Sequence, residues 1–207
     1  MSSCDRSRRK APASSRRHFL QASFAALTLS SLANKALAAG LDPVVTAAKA
    51  GLARVGSRIA HQDVVGVADF AQPSRVPRFH LVDLVAGKVE TLLVAHGRGS
   101  DPEHTGWLQR FSNRPESEAT SQGHYLTGGY YVGGHGRSMR LEGLDPTNSN
   151  AAERNIVVHS AWYVGPRVVS ERGVLGRSEG CFAVSQTDLS RVLERLGPGR
   201  LLLATRL

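Results

Sequence analysis

The spacing of apolar residues changes near residue 64, from a helical period to the short runs of β-strands. Between residues 41 and 61, apolar side chains recur every three or four residues, at Val45, Ala48, Leu52, Val55 and Ile59. This spacing forms one apolar stripe along an α-helix. Asp42 is a suitable N-cap and Pro43 suits the first turn. The pattern therefore predicts a helix that packs against the rest of the chain.

From residue 64 onward, short segments rich in β-branched residues dominate the sequence. They predict strands at 64–70, 78–85, 89–96, 124–132, 138–142, 155–164 and 200–205. Residues 86–88 form a predicted hairpin connection, and 97–123 form a long loop. One late helix is predicted at 185–196, with Ser185 as its cap and Gly197 and Pro198 after its end. The expected fold class is mainly β, a β-rich α+β domain with an N-terminal helix and one late helix.

The charge of the chain is concentrated at its beginning. The 207 residues carry a formal charge of +9, and residues 1–38 contain seven basic residues and one acidic residue. The remaining segment is therefore only mildly basic, so a nucleic-acid partner is not predicted. No uninterrupted run of about 18 apolar residues occurs, which excludes a polytopic membrane protein. The hydrophobic share of 41% is typical of one globular domain.

Residues 1–38 have the three parts of an export signal. Arg16 and Arg17 precede Phe19, a weakly apolar run covers 22–33, and a small-residue exit follows at 36–38. The paired arginines resemble the consensus of the twin-arginine export machinery. We predict cleavage after Ala38, export to the periplasm or cell envelope, and no stable membrane insertion afterwards. The predicted layout is a signal at 1–38, a helical segment at 39–63 and a β-rich domain at 64–207.

The predicted cleavage leaves Cys181 as the only cysteine, since the other is Cys4. A lone thiol in an oxidising compartment is either buried and inert or kept for its chemistry. Gly180 allows a tight turn before Cys181 and suits backbone N–H donors for an oxyanion. A thiol reacts as the thiolate, and His159, at the end of an apolar run, is the best candidate base. These two residues alone leave both interpretations of Cys181 open.

Six segments of the sequence, taken together, resemble the YkuD-type L,D-transpeptidases, which cross-link the bacterial cell wall. They lie at 95–100, 111–113, 125–128, 135–144, 156–159 and 176–181, and they include His159 followed by Ser178-x-Gly180-Cys181. The region from about Val94 to Val184 resembles the murein L,D-transpeptidase catalytic domain subgroup. The chain departs from the family pattern at Ser160 and Phe182, and from its better-known branch at Glu179 and Ala183. These departures concern the acceptor pocket and the substrate preference.

The resemblance implies a cysteine acyl-transfer reaction on peptidoglycan stem peptides within a β-rich fold. His159 would hold Cys181 as a thiolate, which would attack a stem tetrapeptide and release its terminal D-Ala. An amine from a neighbouring stem would then resolve the thioester into a 3→3 cross-link, whereas water would make the enzyme an L,D-carboxypeptidase. The backbone of Gly180 would hold the oxyanion, and Ser178 would orient the histidine or the substrate. The scheme needs no metal and no organic cofactor.

Further polar residues are candidates for substrate binding, and each also has a structural interpretation. The candidates are His96, Tyr125, His135, Arg140 and Arg177. Core packing, exposed loop tips and solvated surface arginines are the alternatives. The eight histidines also raise the hypothesis of a zinc site formed by His96, His104, His135 and His159 with Asp101, but no compact metal-binding pattern is present. A wall-binding module with a buried Cys181 remains the non-enzymatic alternative.

Overall fold

The computed structural model describes residues 42–207, and it begins with the predicted helix. Helix α1 spans Pro43–Val55, and a 3₁₀ turn follows at Gly56–Arg58. The Val44 N–H donates to Asp42 Oδ1 at 2.9 Å, which confirms the predicted cap. The helix is shorter than predicted because the chain tightens at Gly56, whose carbonyl accepts a hydrogen bond from the Gln62 side chain at 3.0 Å. The predicted signal at 1–38 lies outside the described residues.

Within the described residues, eight strands form one mixed sheet in the order β3-β2-β1-β8-β4-β5-β6-β7. The strands are β1 Val64–Asp69, β2 Phe79–Asp83, β3 Lys88–Leu92, β4 Gly123–Gly133, β5 Gly136–Gly143, β6 Val157–Ser160, β7 Phe182–Val184 and β8 Leu201–Thr205. The β1–β8 and β6–β7 pairs are parallel, and the other neighbours are antiparallel. The expected β-rich fold is confirmed. Strand β7 was not predicted because three residues are too short to show a period.

Two further helices follow β6. Helix α2, Pro166–Arg172, was not predicted; it begins at a proline and ends at Gly173, which has a left-handed φ of +72°. Helix α3 spans Leu189–Leu196 and is the predicted late helix, although it begins four residues later than expected. The reason is that Ser185 Oγ accepts from the Asp188 N–H at 3.1 Å and so closes a separate turn before the helix. The predicted stop at Gly197 is confirmed.

The sheet is packed on both faces. Helix α1 covers one face, where Ala48 and Val55 join a buried cluster with Val65, Val67 and Leu201. Helix α3 covers the other face with its three buried residues, Val192, Leu193 and Leu196. Strand β1 is buried along its whole length, as expected for a strand between two layers. Within residues 42–207, no helix is long and apolar enough to cross a membrane.

The segment that follows β3 meets the far edge of the sheet. The Ala95 N–H donates to the Ala183 carbonyl at 2.9 Å, and Gly97 bridges to Ser178. The Ser178 N–H in turn donates to the His96 carbonyl at 2.9 Å. These hydrogen bonds attach β7 and the residues just before it to the segment at 95–97. Cys181 lies in the part that they hold.

Candidate functional site

A tight turn presents Cys181 at the start of β7. Ser178 Oγ donates to the Cys181 carbonyl at 2.7 Å and accepts from the Gly180 N–H at 3.2 Å. Gly180 has a φ of +119°, and a Cβ there would lie 2.8 Å from the Ala119 carbonyl oxygen. Only glycine fits this position without strain. Ser178 therefore organises the backbone of the turn, and the Gly180 N–H is already engaged within it.

His159 is held on the same side of the sheet as Cys181. The parallel β6–β7 register pairs His159 with Ala183, while the adjacent Val158 and Phe182 face the main core. Because side chains alternate along a strand, Cys181, two residues before Ala183, lies on the His159 side. His159 Nδ1 lies 2.9 Å from the Ser160 carbonyl, which can only accept. Nδ1 therefore carries the proton, and Nε2 is left as the basic nitrogen.

Cys181 and His159 line one open cavity of about 460 Å³. This volume falls in the usual range for small-molecule and peptide sites. The Cys181 side chain is partly accessible, and its Sγ lies 3.5 Å from the Asn155 carbonyl oxygen. The other residues that line the cavity are Arg98, Tyr131, His135, Arg154, Asn155, Val157, Tyr163, Arg177, Ser178 and Glu179.

The environment of the pair favours neutral forms in the resting site. Burial raises the pKa of the Cys181 thiol and the charge of Glu179 adds to this, while the Val157 N–H and Arg154 oppose it. Burial also lowers the pKa of His159, against the effect of its hydrogen bond to Ser160. Desolvation penalises both a thiolate and an imidazolium. These pKa shifts favour a thiol beside a neutral imidazole over the resting ion pair that the family resemblance implies.

His135 reaches the cavity from the turn between β4 and β5. It is exposed, and its ring stacks on the His159 ring with a centroid distance of 4.3 Å and an interplanar angle of 22°. The proximity of its charge contributes to the lowered pKa of His159. His135 thus lies at an exposed loop tip and also lines the cavity, and its predicted role in substrate binding stays a prediction.

Three arginines line the cavity, Arg98, Arg154 and Arg177, and only Arg177 was a substrate-binding candidate from the sequence. Arg177 lines the cavity and donates to the carbonyls of Asp101 and Pro102, the latter at 2.9 Å. Arg154 was missed; its Nη1 donates to the Ser112 carbonyl at 2.8 Å and to Ser121 Oγ at 2.7 Å. Its partners come from the long loop 97–123, so no local pattern around Arg154 could have indicated its position.

Three candidate substrate-binding residues lie outside the cavity, and these assignments are corrected. His96 is 1% exposed, with Nδ1 2.7 Å from Arg78 Nη2, and burial lowers its pKa to about 3. Tyr125 is fully buried and donates to the Ser121 carbonyl at 2.7 Å. Arg140 is exposed and does not line the cavity itself; its guanidinium stacks over the cavity-lining residue Tyr131, at 4.4 Å from the ring centroid.

The histidines considered for zinc divide into separate groups. His96 Nε2 lies 3.4 Å from Asp101 in the buried interior, whereas His135 and His159 stack in the cavity. His104 contacts the Leu175 carbonyl at 2.7 Å. Among residues 42–207, no three His, Cys, Asp or Glu side chains come together as a potential metal-binding group.

Several solved structures resemble this chain at low sequence identity. An L,D-transpeptidase from Mycobacterium smegmatis is 16% identical, with a TM-score of 0.42, over 69% of this chain and 58% of that one. L,D-transpeptidase 3 from Mycobacterium tuberculosis, in complex with a faropenem-derived adduct, is 17% identical, with a TM-score of 0.44, over 70% and 60%. The helical cell shape determining protein Pgp2 from Campylobacter jejuni is 10% identical, with a TM-score of 0.47, over 77% and 54%. The chain thus spans less than two thirds of the length of these structures.

Sequence comparison gives the family directly. No curated protein sequence is significantly similar to the chain. The family model of the L,D-transpeptidase catalytic domain matches residues 41–204, which is most of the sequence and includes α1, the sheet apart from the last residue of β8, and the cavity. This chain belongs to the L,D-transpeptidase catalytic domain family.

Proposed function

We propose that this protein is an exported cysteine acyltransferase that acts on peptidoglycan stem peptides and forms 3→3 cross-links through a Cys181 thioester. One observation carries the proposal: Cys181 shares an open cavity with His159, and the hydrogen bond from Nδ1 to the Ser160 carbonyl leaves Nε2 basic. A thiol beside a positioned imidazole is the minimal machinery of nucleophilic acyl transfer. Family membership supports the same chemistry.

The first step acylates Cys181. His159 Nε2 takes the thiol proton as the sulfur attacks the carbonyl of the third stem residue, and the Cys181 N–H stabilises the oxyanion. The C–N bond to the terminal D-Ala then breaks, and its amine leaves with the proton from Nε2. Because burial favours neutral forms of Cys181 and His159, proton transfer accompanies attack rather than preceding it. The Val157 N–H and Arg154 stabilise the charge that develops on the sulfur.

The second step transfers the acyl group. An amine from a neighbouring stem attacks the thioester, a new C–N bond forms, and the C–S bond breaks to restore Cys181. Arg177 and Arg154 line the cavity and suit the carboxylates of stem peptides, because guanidinium groups bind carboxylates through paired hydrogen bonds. If water attacks instead, the product is a tripeptide, and the protein is an L,D-carboxypeptidase of the same fold. The partial exposure of Cys181 to solvent supports this second candidate.

The proposed site of action is the periplasm or cell envelope. In this proposal, residues 1–38 are the signal for the twin-arginine machinery, residues 39–63 form a helical segment, and residues 64–207 form the catalytic domain. A substrate in the cell wall requires export, and the wall-directed activity of the family is consistent with it.

The test is intact mass spectrometry of the protein with a disaccharide-tetrapeptide, combined with chromatography of the products. We expect an acyl adduct on Cys181 and a dimeric 3→3 product. Cys181→Ala should give neither, and His159→Ala should slow acylation by about 10²–10⁴-fold, because it removes a positioned general base. His61→Ala, at an exposed histidine that does not line the cavity, is the matched control.

The outcomes separate the candidates. An adduct that yields only tripeptide identifies a carboxypeptidase. A protein that forms neither adduct nor product, and whose thiol resists alkylation, is an inert wall-binding module. Wild-type turnover in Cys181→Ala would refute the assigned nucleophile.

A further inference from the structure

Glu179 places a solvent-facing carboxylate beside the nucleophile. Its side chain is 75% exposed, it lines the cavity, and it precedes Cys181 by two residues. One carboxylate oxygen lies 3.3 Å from Arg98 Nη2. The Arg98 guanidinium is itself bound to Glu118 through two nitrogens. Glu179 therefore shares an arginine that already has a closer partner, and its negative charge is only partly compensated.

The charge of Glu179 opposes the first step of the reaction. It contributes to the raised pKa of Cys181 and of Tyr163, both of which line the cavity. Its field therefore acts at the sulfur, where it disfavours the thiolate. Arg154 acts in the opposite direction on the same sulfur. Acylation alone would be served better by an uncharged residue at position 179.

We infer that Glu179 determines the acceptor: it binds the ammonium group of an incoming stem peptide beside the Cys181 thioester. This inference rests on the proposed acyl transfer. In the acyl-enzyme the sulfur is part of an uncharged thioester, so its repulsion by Glu179 disappears. The attraction of the carboxylate for a cation remains. An alkylamine acceptor is protonated at neutral pH, because such amines have a pKa of about 10.

The transfer step then balances as follows. The ammonium bound at Glu179 loses one proton to solvent, and the free amine attacks the thioester carbonyl. The C–N bond forms as the C–S bond breaks, and the second N–H proton passes through His159 Nε2 to the sulfur. Water carries no net charge, so the carboxylate does not concentrate it by charge attraction as it does an ammonium group. Glu179 thereby favours cross-linking over hydrolysis.

The experiment compares the wild type with Glu179→Gln, which keeps the shape and removes the charge. Acylation is measured by intact mass with donor alone. The partition of the acyl-enzyme between transfer and hydrolysis is then measured as the ratio of dimer to tripeptide over a series of acceptor concentrations. We expect acylation to be unchanged or faster in Glu179→Gln. The ratio should fall about 1.5-fold to fivefold, which is the range for an exposed charge pair.

Matched variants and salt complete the test. Glu179→Asp should restore part of the ratio, and Glu153→Gln, at an exposed glutamate that does not line the cavity, should keep the wild-type ratio. Added salt should lower the ratio in the wild type but not in Glu179→Gln, because salt screens exposed charges.

Failure of the inference differs from failure of the proposed function. If Glu179→Gln acylates and keeps the wild-type ratio at every acceptor concentration, Glu179 does not bind the acceptor and the proposed function stands. If Glu179→Gln loses acylation, Glu179 acts in the first step and the inference is wrong. If the wild type forms no adduct with the donor, the proposed function fails and the inference fails with it.

Discussion

Replacement of Gly180 by alanine should damage both the fold and the site, because the turn before Cys181 has no room for a side chain. The backbone there has a φ of +119°, which L-residues with a Cβ rarely adopt. The new Cβ would lie 2.7 Å from Ile156 Cδ1 and 2.8 Å from the Ala119 carbonyl oxygen. The Ile156 methyl can move, but the Ala119 carbonyl is backbone and accepts a hydrogen bond from Arg154.

The expected magnitude combines two costs. Forcing a residue with a Cβ into positive φ costs about 1–2 kcal/mol, and overpacking against a fixed neighbour adds about 1–3 kcal/mol. Gly180→Ala should therefore lower the free energy of unfolding by about 2–5 kcal/mol. Gly87 is the matched control, since it has a φ of +63° and nothing within 4 Å of the built Cβ. Gly87→Ala should show only the first cost, about 1–2 kcal/mol.

The assay is urea unfolding of both variants and the wild type, followed by circular dichroism. The same samples are tested for acylation of Cys181 by intact mass. We expect Gly180→Ala to acylate at least about 10²-fold more slowly, because a displacement near 1 Å at the reacting group has that effect. Gly87→Ala should acylate at the wild-type rate. Equal stability of the two variants, with Cys181 still fully reactive, would refute the close-approach argument.

Three further predictions concern the turn, the stacked histidine and the buried histidine. Ser178→Ala removes two hydrogen bonds within the turn, so urea unfolding should show a loss of about 1–3 kcal/mol; an unchanged midpoint would argue against this role. In His135→Ala the pKa of His159 should rise, because the His135 charge lowers it. The acidic limb of the pH profile of kcat/KM should then move to higher pH, and a limb at the wild-type pH would contradict this. His96 has a pKa of about 3 in the fold against 6.5 normally, so below pH 6.5 the unfolded chain binds the extra proton and stability falls, by about 2 kcal/mol between pH 6.5 and 5. The unfolding free energy of His96→Gln, measured in urea, should lack that part of the pH dependence. If it changes with pH as steeply as in the wild type, His96 is not the cause.

The sequence by itself determined the main elements and the family. Helix α1, with its Asp42 cap, and most strands were predictable because each depends on local periodicity, caps and turn residues. The family was predictable because six short segments, each a pattern of neighbouring residues, resemble it. Both are properties of neighbouring residues, so folding is not needed to recognise them.

The short elements around the site were not predictable in the same way. Helix α2 has seven residues and β7 has three, so neither shows a clear period. Strand β7 exists because it pairs with β6 and with the segment at Ala95, and both partners are distant in sequence.

Only the tertiary structure decided which polar residues surround Cys181 and how they are charged. It brought His135, Arg154 and Glu179 to the cavity, and it buried His96 away from it. The physical reason is that burial and through-space charge set both the membership of a site and its pKa values. These depend on segments far apart in the chain, and no local pattern contains them.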